Sequence, residues 1–201
     1  ELGGMGLIRN AVTQGVLAVA SAARSLEEEP APRHGTAAAV WDAEVAIVGA
    51  GPAGLAAALA CRERGLRFAL LDQDGLGGSV NHYPRRKLVM TSPVELPLVG
   101  RMHFREVGKE QLLGFWQDVV RQTGIEVRAP ERVTAVQAIP GGFELVTDRG
   151  TLRARRVILA IGRRGTPRKL EVPGEESDKV AYRLLEPERW AGQRVLVVGG
   201  G

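Results

Sequence analysis

The sequence predicts an α/β fold, a parallel sheet with a crossover helix that is extended by an antiparallel β-meander. Three observations predict it. An apolar run over residues 43–48 leads directly into Gly49-Ala50-Gly51-Pro52-Ala53-Gly54, and a helical pattern follows. A second apolar run over 66–72 comes after that helix, so the two strands and their crossover read as a βαβ unit. Further on, short strand-like runs are separated by Pro140-Gly141 and Asp148-Arg149-Gly150, the punctuation of a meander.

Each element has its own warrant. Residues 7–24 place Leu7, Ile8, Ala11, Val12, Gly15, Val16, Val19 and Ala23 on one stripe, which predicts a helix. Residues 26–39 hold two prolines, a glycine and three consecutive glutamates, so they read as a linker. The crossover helix spans about 52–64 and is closed by Gly65. Residues 75–108 are loop-rich, with Gly77-Gly78 and Pro84, Pro93 and Pro97. Residues 109–123 form a helix whose inner face carries Leu112, Leu113, Trp116, Val119 and Val120, and a strand begins at Ile125. The meander comprises 132–139, 142–147 and 151–154. A separate buried strand covers 156–161, and a last one covers 194–198 before Gly199-Gly200-Gly201. The expected organisation is a helical segment at 1–25, a linker at 26–42, one nucleotide-binding domain at 43–193 and the start of another at 194–201.

Composition narrows the function. Cys61 is the single cysteine, which excludes a disulfide framework, a CxxC pair and a cysteine-rich zinc site within these 201 residues. One thiol fits a reducing compartment, so a cytoplasmic location is expected. The net charge of +4 is carried mostly by arginine, and aromatic residues are only 4%. A nucleic-acid role therefore lacks stacking platforms and is not expected. The most apolar stretch, 45–61, is broken by three glycines and a proline and is shorter than the roughly 20 residues of a spanning helix. No membrane partner is expected, although the N-terminal apolar run leaves a signal peptide conceivable. His34 and His103 show no metal-ligand spacing and read as loop residues, and no metal is expected.

The glycine loop carries the chemistry. GxGxxG is weak alone, but here it joins a buried strand to a helix, and Asp72 stands 23 residues after Gly49. Gly49 permits the tight turn, Gly51 lets backbone approach a pyrophosphate, and Gly54 lets helix and strand pack closely. Pro52 and Ala53 open the helix, whose free N–H groups and partial positive charge suit phosphates. Asp72, followed by Gln73, can accept hydrogen bonds from the ribose hydroxyls of an adenosine. It would repel a 2′-phosphate, which disfavours NADP at this loop.

With these motifs in place, the sequence resembles the FAD-dependent pyridine-nucleotide-disulfide oxidoreductases. Within them it is most similar to the thioredoxin-reductase-like branch that includes bacillithiol disulfide reductases. Four separated motifs over about 43–201 carry the resemblance. Beside the first loop and Asp72 there is Gly77-Gly78-Ser79-Val80-Asn81-His82-Tyr83-Pro84, a segment that in the resembling proteins lies against the flavin. Arg132-Val133 corresponds to a segment passing the adenine, where Val133 would offer backbone hydrogen bonds. Val157-Ile158-Leu159-Ala160-Ile161-Gly162 resembles a strand ending in Ala-Thr-Gly beneath the FAD, with Ile161 in place of threonine. Residues 194–201 look like a second fingerprint that opens an NAD(P)H-binding domain.

The N-terminal piece is out of order. Glu1 and the glycines at 3, 4 and 6, ahead of the first helix, resemble the family's C-terminal flavin motif. By that resemblance Glu1 would bind the ribityl hydroxyls, and backbone near residues 6–8 would face the flavin N1–O2 edge. Two arrangements stay open, along with an unrelated amphipathic helix. Either the segment closes an upstream reductase in a tandem fusion, or it completes the site formed by residues 43–162.

The resemblance implies FAD as cofactor and NAD(P)H as reductant, with the reductant's site mostly outside this chain. It implies hydride transfer to FAD and electron transfer on to an unidentified small-molecule or protein acceptor. A homodimer is compatible with it. The catalytic residues are unknown. The alternatives are a dinucleotide-binding module without turnover, a degenerate half of a tandem reductase, and an NAD-dependent dehydrogenase. The meander, the paired glycines and the second fingerprint oppose the dehydrogenase. Cys61 is expected in the core, and His82 and Tyr83 either touch the flavin or are loop structure. Arg163, Arg164, Arg168 and Lys169, like Arg85-Arg86-Lys87, read as solvated charge.

Overall fold

The protein is described by a computed structural model, which covers residues 7–29, 41–162, 169–182 and 184–198. Glu1, the glycines at 3, 4 and 6, most of the expected linker, Arg163, Arg164, Arg168 and Gly199-Gly200-Gly201 lie outside the described residues.

Strand β1 (Ala43–Val48) runs into helix α2 (Pro52–Glu63) through the glycine loop, and β2 (Phe68–Leu71) returns parallel to it. Helix α1 (Ile8–Glu28) precedes them. Two small antiparallel pairs follow. They are β3 (Leu88–Met90) with β6 (Glu106–Gly108), and β4 (Val94–Leu96) with β5 (Gly100–Met102). Then come α3 (Lys109–Thr123), β7 (Val127–Arg128), β8 (Val133–Ile139), β9 (Gly142–Thr147) and β10 (Gly150–Leu159).

The main sheet has the order β7-β2-β1-β10-β9-β8. Its β7, β2, β1 and β10 are parallel, while β10, β9 and β8 form the meander. The two strands expected at 151–154 and 156–161 are one strand. Its first half pairs antiparallel with β9 and its second half parallel with β1, and Ala154 faces Phe143 on one side and Ala43 on the other. Nothing interrupts the strand, because Arg155 keeps extended backbone and spends its side chain on α1.

β1 is buried on both faces, which explains its unbroken apolar sequence. Val45 and Ile47 belong to the larger core with α1, α2 and α3, while Ala46 joins Leu145, Leu152 and Ala154 in a smaller cluster. Helix α1 runs to Glu28, beyond the expected boundary at 24–25. Leu26 is buried in the larger core, and arginines of β10 take the helix's last carbonyls. Arg156 donates to Ser25 O at 2.8 Å and to the Glu29 carboxylate at 2.9 Å, and Arg155 donates to Glu29 O.

Residues 194–198 form no strand, contrary to expectation. Val195 to Val198 are exposed, Leu196 at 87%. A strand needs a neighbour to take its backbone bonds, and none stands beside this segment among the described residues.

Candidate functional site

The C-terminal ends of β1, β2 and β10 point into one cleft of about 380 Å³, lined also by α1 and the start of β8. Ligands of open parallel sheets bind at this end of the strands, where strand order reverses.

The glycine loop forms its floor. At Gly49, φ is +109° and an added Cβ would stand 2.4 Å from the Ala160 carbonyl oxygen. At Gly54 a Cβ would stand 1.7 Å from the Gly49 carbonyl oxygen. Both glycines are demanded by the protein's own backbone. Gly51 is different. Its φ of −76° suits any residue, and its added Cβ would meet only Gly78 Cα, at an ordinary 3.7 Å. The side chain missing at Gly51 leaves room above the first turn of α2. Pro52 brings no N–H there, and the first helical bond is Leu55 N–H to the Gly51 carbonyl at 2.9 Å. The N–H groups of Ala53 and Gly54 therefore stand at the open end of the helix. An anion is the chemistry this cradle suits.

The paired glycines complete the floor. Gly77 (φ +105°) and Gly78 (φ +54°) turn the chain into a short 3-10 helix, Gly78–His82. Gly77 N–H donates to the Ala50 carbonyl at 2.9 Å, so this loop is bonded to the first one. A Cβ on Gly77 would strike Leu113 of α3, and one on Gly78 would reach Gly51 Cα at 2.9 Å.

Asp72 closes the β2 side. One carboxylate oxygen accepts Ala50 N–H at 2.7 Å, and the other accepts Asp74 and Gly75 N–H, both at 2.8 Å. Three of its roughly four acceptor sites are spent on backbone. The fixing of the glycine loop by Asp72 was not visible in the sequence, where the residue read as a ribose ligand or a surface acid.

Of the residues singled out from sequence, the cleft brings together Gly49, Gly51, Pro52, Ala53, Asp72, Gln73, Gly78, Ser79, Val133, Ala160 and Gly162. Gly54 and Gly77 lie behind this lining and shape the two loops. Glu1 lies outside the described residues. Tyr83 lines the cleft, and His82 stands behind it, 3.5 Å from the Asp74 carboxylate. Lys109 donates to the Tyr83 carbonyl at 2.6 Å, and Lys87 sits over the Tyr83 ring.

Two contributions were not fixed by the sequence: it leaves open whether the N-terminal helix completes the site formed by residues 43–162, and a buried acid went unseen. Helix α1 supplies Ile8, Ala11, Gln14, Gly15 and Ala18 to the cleft. Their helical spacing was legible, but not what the helix packs on. Glu131, 4% exposed, is the other. It takes a two-pronged bond from Arg128 at 2.8 and 2.9 Å and a bond from the Thr147 hydroxyl at 2.9 Å. A lone glutamate after Pro130 gave no signal, because its burial depends on Thr147 of another strand as well as on the nearby Arg128.

Cys61 is buried in the larger core, and burial pushes its thiol up to about 12. Among the described residues, no three of His, Cys, Asp or Glu come together as a metal site. No helix among them is long and apolar enough to cross a membrane.

The chain is 32% identical over 159 residues to a ferredoxin–NADP reductase of Ignicoccus hospitalis, covering 77% of this chain and 48% of that protein. It is 31% identical over 164 residues to a ferredoxin–NADP reductase of Levilactobacillus brevis, covering 79% and 46%. It thus spans about half the length of the curated relatives it matches. Among solved structures, the bacillithiol disulfide reductase of Bacillus cereus superposes with a TM-score of 0.63 at 29% identity, covering 72% of this chain and 47% of that one. That of Staphylococcus aureus has the same fold, with a TM-score of 0.64 at 24% identity, covering 73% and 46%. The family model described as pyridine nucleotide-disulphide oxidoreductase matches residues 46–201. The chain belongs to the pyridine nucleotide-disulphide oxidoreductase family.

Proposed function

We propose that residues 43–193, with α1 as a further wall, form the FAD-binding domain of an NAD(P)H-dependent flavoprotein oxidoreductase. The single observation that carries the reading is Gly51. It is a glycine that the protein's own packing does not require, set where a pyrophosphate would lie against the first turn of α2. The family match and the relatives named ferredoxin–NADP reductase support the same reading.

The chain's residues then divide the work. The N–H groups of Ala53 and Gly54 hold the phosphates, and the remaining acceptor site of Asp72, with Gln73, takes ribose hydroxyls. Val133 and the neighbouring backbone flank the adenine, while Gly78, Ser79 and Tyr83 flank the flavin end. Gly162 and Ala160 close the floor beneath it. When bound, FAD supplies hydride acceptance from NAD(P)H and passage of the two electrons to an acceptor. The acceptor is a small molecule or a redox protein. It is reached without a CxxC pair of this chain, because Cys61 stands alone and buried. The start of an NAD(P)H domain at 194–201 belongs to the same proposal. So does a cytoplasmic site of action, supported by the single free thiol.

The test is spectroscopic. The purified protein, or the protein titrated with FAD, should show flavin absorbance and saturable quenching of flavin fluorescence. Gly51→Val should lose both while keeping the wild-type circular dichroism. A wild-type protein that binds no FAD would sink the reading. Flavin that stays oxidised with NADH and NADPH under anaerobic conditions would favour a binding module without turnover.

A further inference from the structure

We propose that Gln14, on the helix preceding the glycine loop in sequence, is a direct ligand of the phosphates held in the cleft. The inference rests on the FAD reading and extends it to a residue that neither the glycine fingerprint nor the flavin-side motifs contain.

Helix α1 crosses α2 at the turn where the phosphates would lie. A Cβ on Gly15 would stand 2.1 Å from the Ala53 carbonyl oxygen and 3.2 Å from Ala57 N, so the two helices touch backbone to backbone there. Ala11, Val12, Gly15 and Val19 are buried in that contact. Gln14, the neighbouring position, is instead exposed and lines the cleft together with Gly51, Pro52 and Ala53. Two arginines of β10 hold the far end of α1, which fixes the helix along its length.

The chemistry needs a donor at this point. A pyrophosphate carries two negative charges and more acceptor oxygens than the free N–H groups of one helix end can satisfy. The acids of the cleft, Asp72, Asp74 and Glu131, cannot serve, and its one described arginine, Arg132, sits at the β8 end. Among the uncharged polar residues of the cleft, Gln14 adjoins the Gly15 that meets Ala53, and Ser79 adjoins the Gly78 that meets Gly51. A carboxamide donates through its NH2 and adds no charge.

Gln14→Ala and Gln14→Glu in the full chain test this by FAD titration, read as fluorescence quenching at low and high salt. Gln14→Ala should raise the Kd on the order of tenfold, the loss of one hydrogen bond to a charged acceptor. Gln14→Glu should raise it further, and the excess should shrink with salt, because a carboxylate would then oppose phosphate. Melting of both variants without FAD is read alongside. If either variant melts lower, the salt dependence of Gln14→Glu decides. Wild-type affinity in both variants overturns this proposal and leaves the FAD reading standing. No FAD binding by the wild-type protein overturns the FAD reading itself.

Discussion

Gly51 and Gly54 lie three positions apart in one motif, yet different demands keep them glycine. At Gly54 a single methyl would stand 1.7 Å from backbone oxygen, and no rotamer change relieves that contact. Gly54→Ala should therefore destabilise the protein by about 3 kcal/mol or more in urea unfolding. Gly51→Ala meets no such contact. It should cost about 1 kcal/mol or less, the order of an N-cap exchange, while raising the Kd for FAD. Equal stability losses in the two variants would contradict this division. Cys61 offers a second residue-scale prediction. Burial lifts its thiol from 9.0 to about 12, so from about pH 9 upward the unfolded chain releases a proton that the folded chain keeps. Folded stability attributable to this thiol is complete below pH 9 and falls as the pH climbs toward 12. Cys61→Ala should flatten that part of the profile relative to wild type. The native thiol should also resist alkylation at neutral pH. Burial of Cys61 was legible from its helix, whereas the triple backbone bonding of Asp72 was not. The Ala50 partner becomes a neighbour only once the loop is folded.

The elements that sequence periodicity described well are those whose partners lie nearby in the chain. β1, α2 and β2 form one βαβ unit, and α3 runs over the residues its apolar stripe marks out. The departures are long-range. α1 extends to Glu28 because Arg155 and Arg156, more than a hundred residues away, donate to its last carbonyls and Leu26 enters the core. Local composition, three glutamates before a proline, pointed to a linker instead. β10 is continuous because β9 takes one half and β1 the other, and no local signal announces a strand that changes partner. Residues 194–198 show the converse, a strand-like sequence whose side chains stand exposed. The arginine clamp can be tested alone. Arg156→Ala removes bonds to Ser25 and Glu29 and should cost about 1–2 kcal/mol. Amide hydrogen exchange should rise at the end of α1, residues 22–28, and remain at wild-type levels in α3. Uniform exchange across both helices would argue against a local clamp.

On the scale of the whole molecule, the cleft joins segments that are remote in sequence: α1, the glycine loop, the paired-glycine turn, Glu131 to Val133, and the end of β10. Its motif residues were legible because the glycine spacing and the acid at the end of β2 fall within one contiguous βαβ segment. The packing of α1 across α2 was not, because only the folded contact at Gly15 and Ala53 reveals it. A ligand seated among all these segments binds the folded state and has no counterpart site in the unfolded chain, so it must stabilise folding by mass action. At 100 times the Kd this amounts to about 2.7 kcal/mol. For a protein of this size each kcal/mol moves Tm by roughly 2–4 °C, so saturating FAD should raise Tm by about 5–10 °C. The same addition should protect amides of α1 and of the β1–α2 loop together, since both border the bound phosphates. Gly51→Val should lose the shift entirely, and Gln14→Ala should need about tenfold more FAD to reach it. A wild-type melting curve indifferent to FAD would mean that the cleft, though built from a dinucleotide fingerprint, does not hold FAD.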